Sequence, residues 1–132
     1  MLQKKILVPL GASGTDLKSV HYALALAERL RAQVYILHQA PRENGERAPS
    51  MWLDEALFDL INSAREAGLA VSHYVAQQAL KEEIVALTTA ENIDILVFSG
   101  ADGVNEQVLA QVKPLIPCQI IQVKEKDRVD YL

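Results

Sequence analysis

Hydrophobic and polar positions along this chain switch repeatedly between a continuous or two-residue period and a three-to-four-residue one, which lays out strands and helices in alternation. Ile6-Leu7-Val8-Pro9-Leu10 is an unbroken apolar run behind two lysines, the pattern of a strand buried on both faces. Gly11-Ala12-Ser13-Gly14 interrupts it, and Ser13 with Asp16 three residues on has the form of a capping box opening a helix. Leu17, Val20, Leu24 and Ala27 then recur along one face and predict a helix to about Arg31, followed by a second strand over Gln33–His38. The polar stretch from Ala40 to Ser50, with Pro41, Asn44-Gly45 and Pro49, reads as a surface loop. Leu53, Ala56, Leu57, Leu60, Ile61 and Ala64 give a second helix, with Gly68 as its left-handed cap.

Leu69–Val75 alternates more weakly and predicts a third strand at an edge of the sheet. A third helix follows over Leu80–Glu91, a fourth strand over Ile93–Phe98, a short fourth helix from Asn105 to about Lys113, and a fifth strand over Cys118–Val123. The charged tail from Lys124 to Leu132 is expected to fray. Strands and helices that alternate in this way predict a single α/β domain over residues 1–132, with a parallel sheet covered by helices on both faces. Ligands of such sheets sit beyond the carboxyl ends of the strands, so Ile93–Gly103, a strand ending in Gly100-Ala101-Asp102-Gly103, marks the expected site.

Composition narrows the function. Half the residues are hydrophobic and 23% are charged, as in ordinary globular domains. A formal charge of -4 lacks the basic footprint of a nucleic-acid or anionic-membrane binder. Cys118 is the only cysteine, which rules out an internal disulfide and a metal–thiolate cluster. The first apolar run is short and holds Pro9, so neither a signal peptide nor a membrane helix is expected and the chain reads as cytoplasmic.

Several motifs carry a resemblance. Lys5-Ile6-Leu7-Val8-Pro9, Ala23-Leu24-Ala25-Leu26-Ala27 with Leu30, Leu37-His38, Asp94-Ile95-Leu96-Val97 leading into Gly100, and Cys118 with Ile120-Ile121-Gln122-Val123 stand in the order and spacing of the universal stress protein family, which the chain resembles over nearly its whole length. The resemblance implies a three-layer, Rossmann-like (adenine nucleotide alpha hydrolase-like) fold: an open five-stranded parallel sheet of order 3-2-1-4-5, in which the first and fourth strands meet at the switch point. It also implies that many members are dimers and many bind ATP there. Binding members place an acidic residue after the first strand for the adenine, and a phosphate loop Gly-x2-Gly-x9-Gly-(Ser/Thr) after the fourth.

Measured against that pattern, the opening motif reads Val8-Pro9-Leu10-Gly11, without the carboxylate. Gly100 and Gly103 satisfy Gly-x2-Gly, but Lys113 and Pro114 stand where a glycine and a hydroxyl residue belong, and proline has no N–H for a phosphate. In an alternative alignment Gly103–Leu109 matches the family's helix start, with the phosphate loop deleted, and Gln78 stands where members often carry a glycine. Pro9, Gly11, Ser13, Gly100 and Gly103 are therefore the residues of an expected vestigial nucleotide site with no cofactor, the alternative being an ATP or AMP site with a non-standard loop.

No catalytic constellation is present, and a non-enzyme is expected. Gly100–Gly103 fits turn chemistry better than an anion nest, and Asp102 adds negative charge where a phosphate would lie. Ser13 reads as a helix cap, and His21, His38 and His73 fall on different elements without metal-ligand spacing. Asp54-Glu55 and Glu82-Glu83 suit the first turns of helices, Cys118 suits a buried small hydrophobe, and Met51-Trp52-Leu53 suits a core boundary. In the implied order the fifth strand is an apolar edge, and Ile120, Ile121, Gln122 and Val123 are expected to pair with a second copy in a homodimer. The expectation is a dimeric stress-response or regulatory protein that acts by association with itself or a further protein. A flavodoxin-like enzyme is disfavoured because no nucleophile–base pair and no flavin-phosphate loop is evident.

Overall fold

The computed structural model describes residues 3–11, 17–39, 51–104, 106–125 and 128–132. The first strand, β1 (Lys5–Leu10), lies mid-sheet because its run Ile6–Leu10 is buried throughout. In chain order follow α1 (Lys18–Leu30), β2 (Gln33–Gln39), α2 (Met51–Glu66), β3 (Val71–Ala76), α3 (Leu80–Glu91), β4 (Ile95–Phe98), α4 (Glu106–Val112), β5 (Gln119–Glu125) and β6 (Arg128–Tyr131). The strand order is β3-β2-β1-β4-β5-β6. All neighbours are parallel except β5 and β6, which are antiparallel.

The two-residue period of the strands splits the core into two layers. Ile6, Val8, Ile36, Val97 and Ile121 face α1 and α2 with Val20, Ala23, Leu57 and Ile61. Leu7, Leu37, Leu96, Phe98 and Ile120 face the other way, onto Leu80, Ile84, Leu109 and Val112 of α3 and α4. The switch from one face to the other between α2 and α3 is what right-handed crossovers require of this strand order.

Helix ends are set by left-handed residues. Arg31 (φ 55°) and Asn92 (φ 56°) close α1 and α3, each donating its N–H to the carbonyl four residues back, at Ala27 and Thr88. Gly68 (φ 98°) lies beyond α2 as expected. At the amino ends of β1 and β4, the Lys5 N–H donates to Asp94 Oδ2 at 2.9 Å and its Nζ to the Glu91 carbonyl at 2.9 Å. At the carboxyl ends the two strands part. Their register stops at Leu7↔Leu96, whereas β1 follows β2 to Leu10↔His38. Pro9, with no N–H to donate, sits in the stretch where pairing with β4 has ended.

Three expectations are corrected. The first helix begins at Lys18, with Leu17 at its N-cap and no side-chain cap hydrogen bond; Ser13 and Asp16 lie outside the described residues. The tail is not wholly frayed, because Arg128–Tyr131 alternates apolar and charged residues and pairs along β5. The fifth strand is therefore not an edge: Ile120, Ile121 and Val123 are buried and Gln122 is half-buried within the chain's own fold. The expected loop from Ala40 to Ser50 lies outside the described residues.

Ile121 is 3% exposed in the layer beneath α1. Ile121→Lys is accordingly expected to act as a core lesion: an uncompensated buried ammonium costs at least about 3 kcal/mol. Urea unfolding should show the midpoint falling steeply at unchanged slope; a fully stable Ile121→Lys protein contradicts the burial.

Candidate functional site

The parting of β1 and β4 creates the crevice at the switch point, and the segment after β4 folds into it. Gly100–Asp102 forms one 3-10 turn, and Gly103 leaves it at φ 85°, a conformation glycine adopts without penalty. The N–H of Asp102 donates to the Ser99 carbonyl at 3.0 Å, and that of Gly103 to the Gly100 carbonyl at 3.2 Å. These two N–H groups are engaged inside the turn.

The turn is fastened at two points. The Asp102 carbonyl accepts the Gly11 N–H at 2.9 Å, which ties the turn to the end of β1. Asp102 Oδ2 accepts the Ser19 N–H at 2.8 Å and the Ser19 hydroxyl at 2.6 Å, both buried. The carboxylate thus caps α1 from 83 residues away, where the helix dipole and unpaired N–H groups favour an anion. Asp102 is fully buried, and its Oδ1 is buried without a hydrogen-bond partner.

Gly11 is the tightest point. A Cβ built there would lie 2.1 Å from the Gly103 carbonyl oxygen and 2.6 Å from its carbon, both main-chain atoms. Gly100 is the opposite case, exposed and with open space where its Cβ would stand. The expected site residues Pro9, Gly11, Gly100 and Gly103 therefore gather around one crevice, while Ser13 lies outside the described residues. Sequence reading missed Ser19 and gave Asp102 only a repulsive role. The available signal was a serine on the apolar face of a helix whose own N-cap residue is leucine.

Other candidates are placed as follows. His38 and His73, distant in sequence, stack at 6.2 Å, with Phe58 edge-on to His73 at 5.6 Å. His21 lies apart, on an open cleft of about 750 Å³ lined by Lys18, Tyr22, Ala25 and Val123. Among the described residues no three His, Cys, Asp or Glu side chains group as metal ligands. Cys118 is half-buried, and desolvation pushes its thiol above the ordinary range, which disfavours the nucleophilic thiolate. No helix among the described residues is long and apolar enough to cross a membrane.

Two substitutions separate packing from openness. Gly11→Ala is expected to lower stability by several kcal/mol, since main-chain atoms cannot yield cheaply, whereas Gly100→Ala should be within about 0.5 kcal/mol of wild type. Equal thermal midpoints for the two proteins would contradict this packing. Asp102→Ala strands the Ser19 N–H and hydroxyl and is expected to cost about 2–4 kcal/mol, read from urea unfolding.

Comparison with known proteins accords with this architecture. No curated protein matches the chain. Among solved structures it is similar to a universal stress protein from Archaeoglobus fulgidus in complex with dAMP (17% identity, 94% of this chain and 100% of that one, TM-score 0.66). It is likewise similar to UspA from Lactobacillus plantarum (19% identity, 93% and 99%, TM-score 0.62). A third is a family member from Arabidopsis thaliana with AMP bound (18% identity, 94% and 93%, TM-score 0.60). At these identities the likeness is one of fold. The sequence profile of the universal stress protein family matches residues 3–110, and the chain belongs to that family.

Proposed function

We propose that this chain is a non-catalytic, cytoplasmic stress-response or regulatory protein of the universal stress type, which acts by association rather than by holding ATP tightly. The observation that carries the reading is the main chain of Gly103 standing where any side chain of residue 11 would have to be. In nucleotide-binding members, as the family resemblance implies, that is the place of the carboxylate that reads adenine. Here the turn after β4 fills it.

Charge argues the same way. Asp102 brings a buried carboxylate to the N-terminus of α1, so the strongest anion-attracting feature near the crevice already holds an internal anion. A phosphate approaching it would meet like charge at reduced dielectric. The N–H groups of Asp102 and Gly103 are engaged by protein carbonyls and would have to be freed first.

A second reading, AMP or ATP held through a non-standard loop, has two observations in its favour. Solved relatives carry dAMP and AMP, and the open space above Gly100 leaves room for a ligand to approach the backbone. Calorimetric titration of the nucleotide-stripped protein with Mg-ATP and with AMP separates the readings. The expected result is no saturable heat at about millimolar nucleotide, an interaction no stronger than about -4 kcal/mol. Micromolar affinity for either ligand would replace the first reading with the second.

A further inference from the structure

We propose that the cleft beside α1 is a binding site for a small amphipathic anion, a carboxylate carried on a flat aromatic body. The cleft shares no lining residue with the crevice at the switch point, and the inference is independent of whether that crevice binds nucleotide.

α1 carries two stripes of side chains. Val20, Ala23 and Ala27 turn to the sheet and are buried. Lys18, His21, Tyr22 and Ala25 stand at i, i+3, i+4 and i+7 on a second stripe, and with Val123 of β5 they line a cleft of about 750 Å³. Small-ligand sites run from about 300 to about 1,000 Å³, so the cleft has the size of one. Its described walls are mostly apolar and are fixed by packing. Val123 is 4% exposed, and the half-buried ring of Tyr22 rests on the core layer beneath α1. Ala25 is exposed and short, so the floor stays open where a longer side chain would fill it.

Charge at the mouth selects an anion. The chain carries a net charge of -4, yet among the described residues no carboxylate lines the cleft; its titratable groups are Lys18, His21 and Tyr22. Nearby acids are engaged elsewhere. Asp130 pairs with Lys124 at 2.9 Å, Glu28 lines a separate cavity with Arg31, and Asp102 Oδ2 is bonded to Ser19. Tyr22 senses a further cation: burial, first, pushes its pKa up, and the Arg29 guanidinium acts in the opposite sense. Lys18 thus offers an ammonium and His21 a ring N–H to a carboxylate, with Arg29 adding to the positive field.

The rest of the site favours a flat ring over other bodies. A ring stacks offset or edge-on against Tyr22 and His21, and a rigid body loses less rotamer freedom on entering an open cleft than a flexible chain does. A compact, strongly hydrated anion would gain nothing from the apolar walls.

The test is an amide chemical-shift titration of the full chain with naphthoate, and with naphthamide as its uncharged counterpart of the same shape. Naphthoate is expected to saturate with a dissociation constant on the order of 100 μM, with the shifts grouped on the first two turns of α1 and on β5. Naphthamide is expected to bind about 5- to 10-fold more weakly, and raising salt from about 50 to about 500 mM should weaken naphthoate alone. Ala25→Trp fills the floor at an exposed helix position and is expected to abolish binding with the thermal midpoint near that of wild type. Lys18→Gln should bring naphthoate down to the affinity of naphthamide, and Lys18→Arg should restore it. No saturable shift at about millimolar naphthoate, equal affinity for the two probes, or binding that survives Ala25→Trp overturns the proposal. Should Ala25→Trp not fold, Lys18→Gln decides: unchanged naphthoate affinity refutes the site, and a loss that Lys18→Arg rescues supports it. A dimer of the ligand-free chain that Ala25→Trp dissociates in sedimentation would mean that a second copy fills the cleft, which also overturns the proposal.

Discussion

Asp102 works in two directions from one residue: its carbonyl holds the N–H of Gly11 at the end of β1, and its carboxylate holds the N–H and hydroxyl of Ser19 at the start of α1. A buried carboxylate is costly unless hydrogen-bonded or paired with charge, and here the compensation comes from two charge-assisted hydrogen bonds and the positive end of a 13-residue helix. The arrangement therefore fixes three things together: where α1 begins, how the segment after β4 folds, and how far β1 and β4 part. The clamp of Lys5 and Asp94 at the other end of the same two strands makes the parting local to the carboxyl side.

The two margins of the sheet are treated differently. β3 is a true edge, with Tyr74 and Val75 exposed, and it is shielded in part by aromatic contacts, Tyr35 stacking on Tyr74 at 6.3 Å and Phe58 meeting His73. At the other margin the apolar strand is moved inward by one position, and a short strand of alternating charge takes the edge. On this side Tyr22 of α1 reaches the Tyr131 hydroxyl, and burial, then this hydrogen bond, push the Tyr22 pKa upward. The helix that Asp102 caps thus also touches the terminal strand, so the crevice and the sheet margin share one scaffold.

What could be read from the sequence was what is local. The span of α3, the central position of β1 and the left-handed turn at Gly68 follow from periodicity and turn chemistry within a few residues, and the structure agrees with each. The start of α1 at Lys18 was not legible, because the group that meets its first-turn N–H at Ser19 is a carboxylate 83 residues on, and no local rule reports such a contact. β6 escaped because four residues of alternation inside a charged tail fall below the length at which a strand pattern separates from chance. The place of the crevice follows from strand order alone, but its packing does not, since the 2.1 Å that would separate a Cβ at residue 11 from the Gly103 carbonyl oxygen is a tertiary fact.

That close approach bears on how the two departures from the nucleotide pattern that the family resemblance implies would be related. In sequence they look unrelated, a glycine in place of the implied carboxylate after the first strand and a different loop after the fourth. In space they are one. No side chain can stand at residue 11 while the Gly103 carbonyl lies against it, and the carbonyl lies there because the Asp102 carbonyl is bonded to the Gly11 N–H and the Asp102 carboxylate is anchored to α1. An acidic residue restored at position 11 would have to expel the turn, which would strip α1 of its cap and leave a buried carboxylate unpaired. The closed turn, the glycine beneath it and the capped helix stand or fall together, and so, on the reading proposed here, does the absence of tight nucleotide binding.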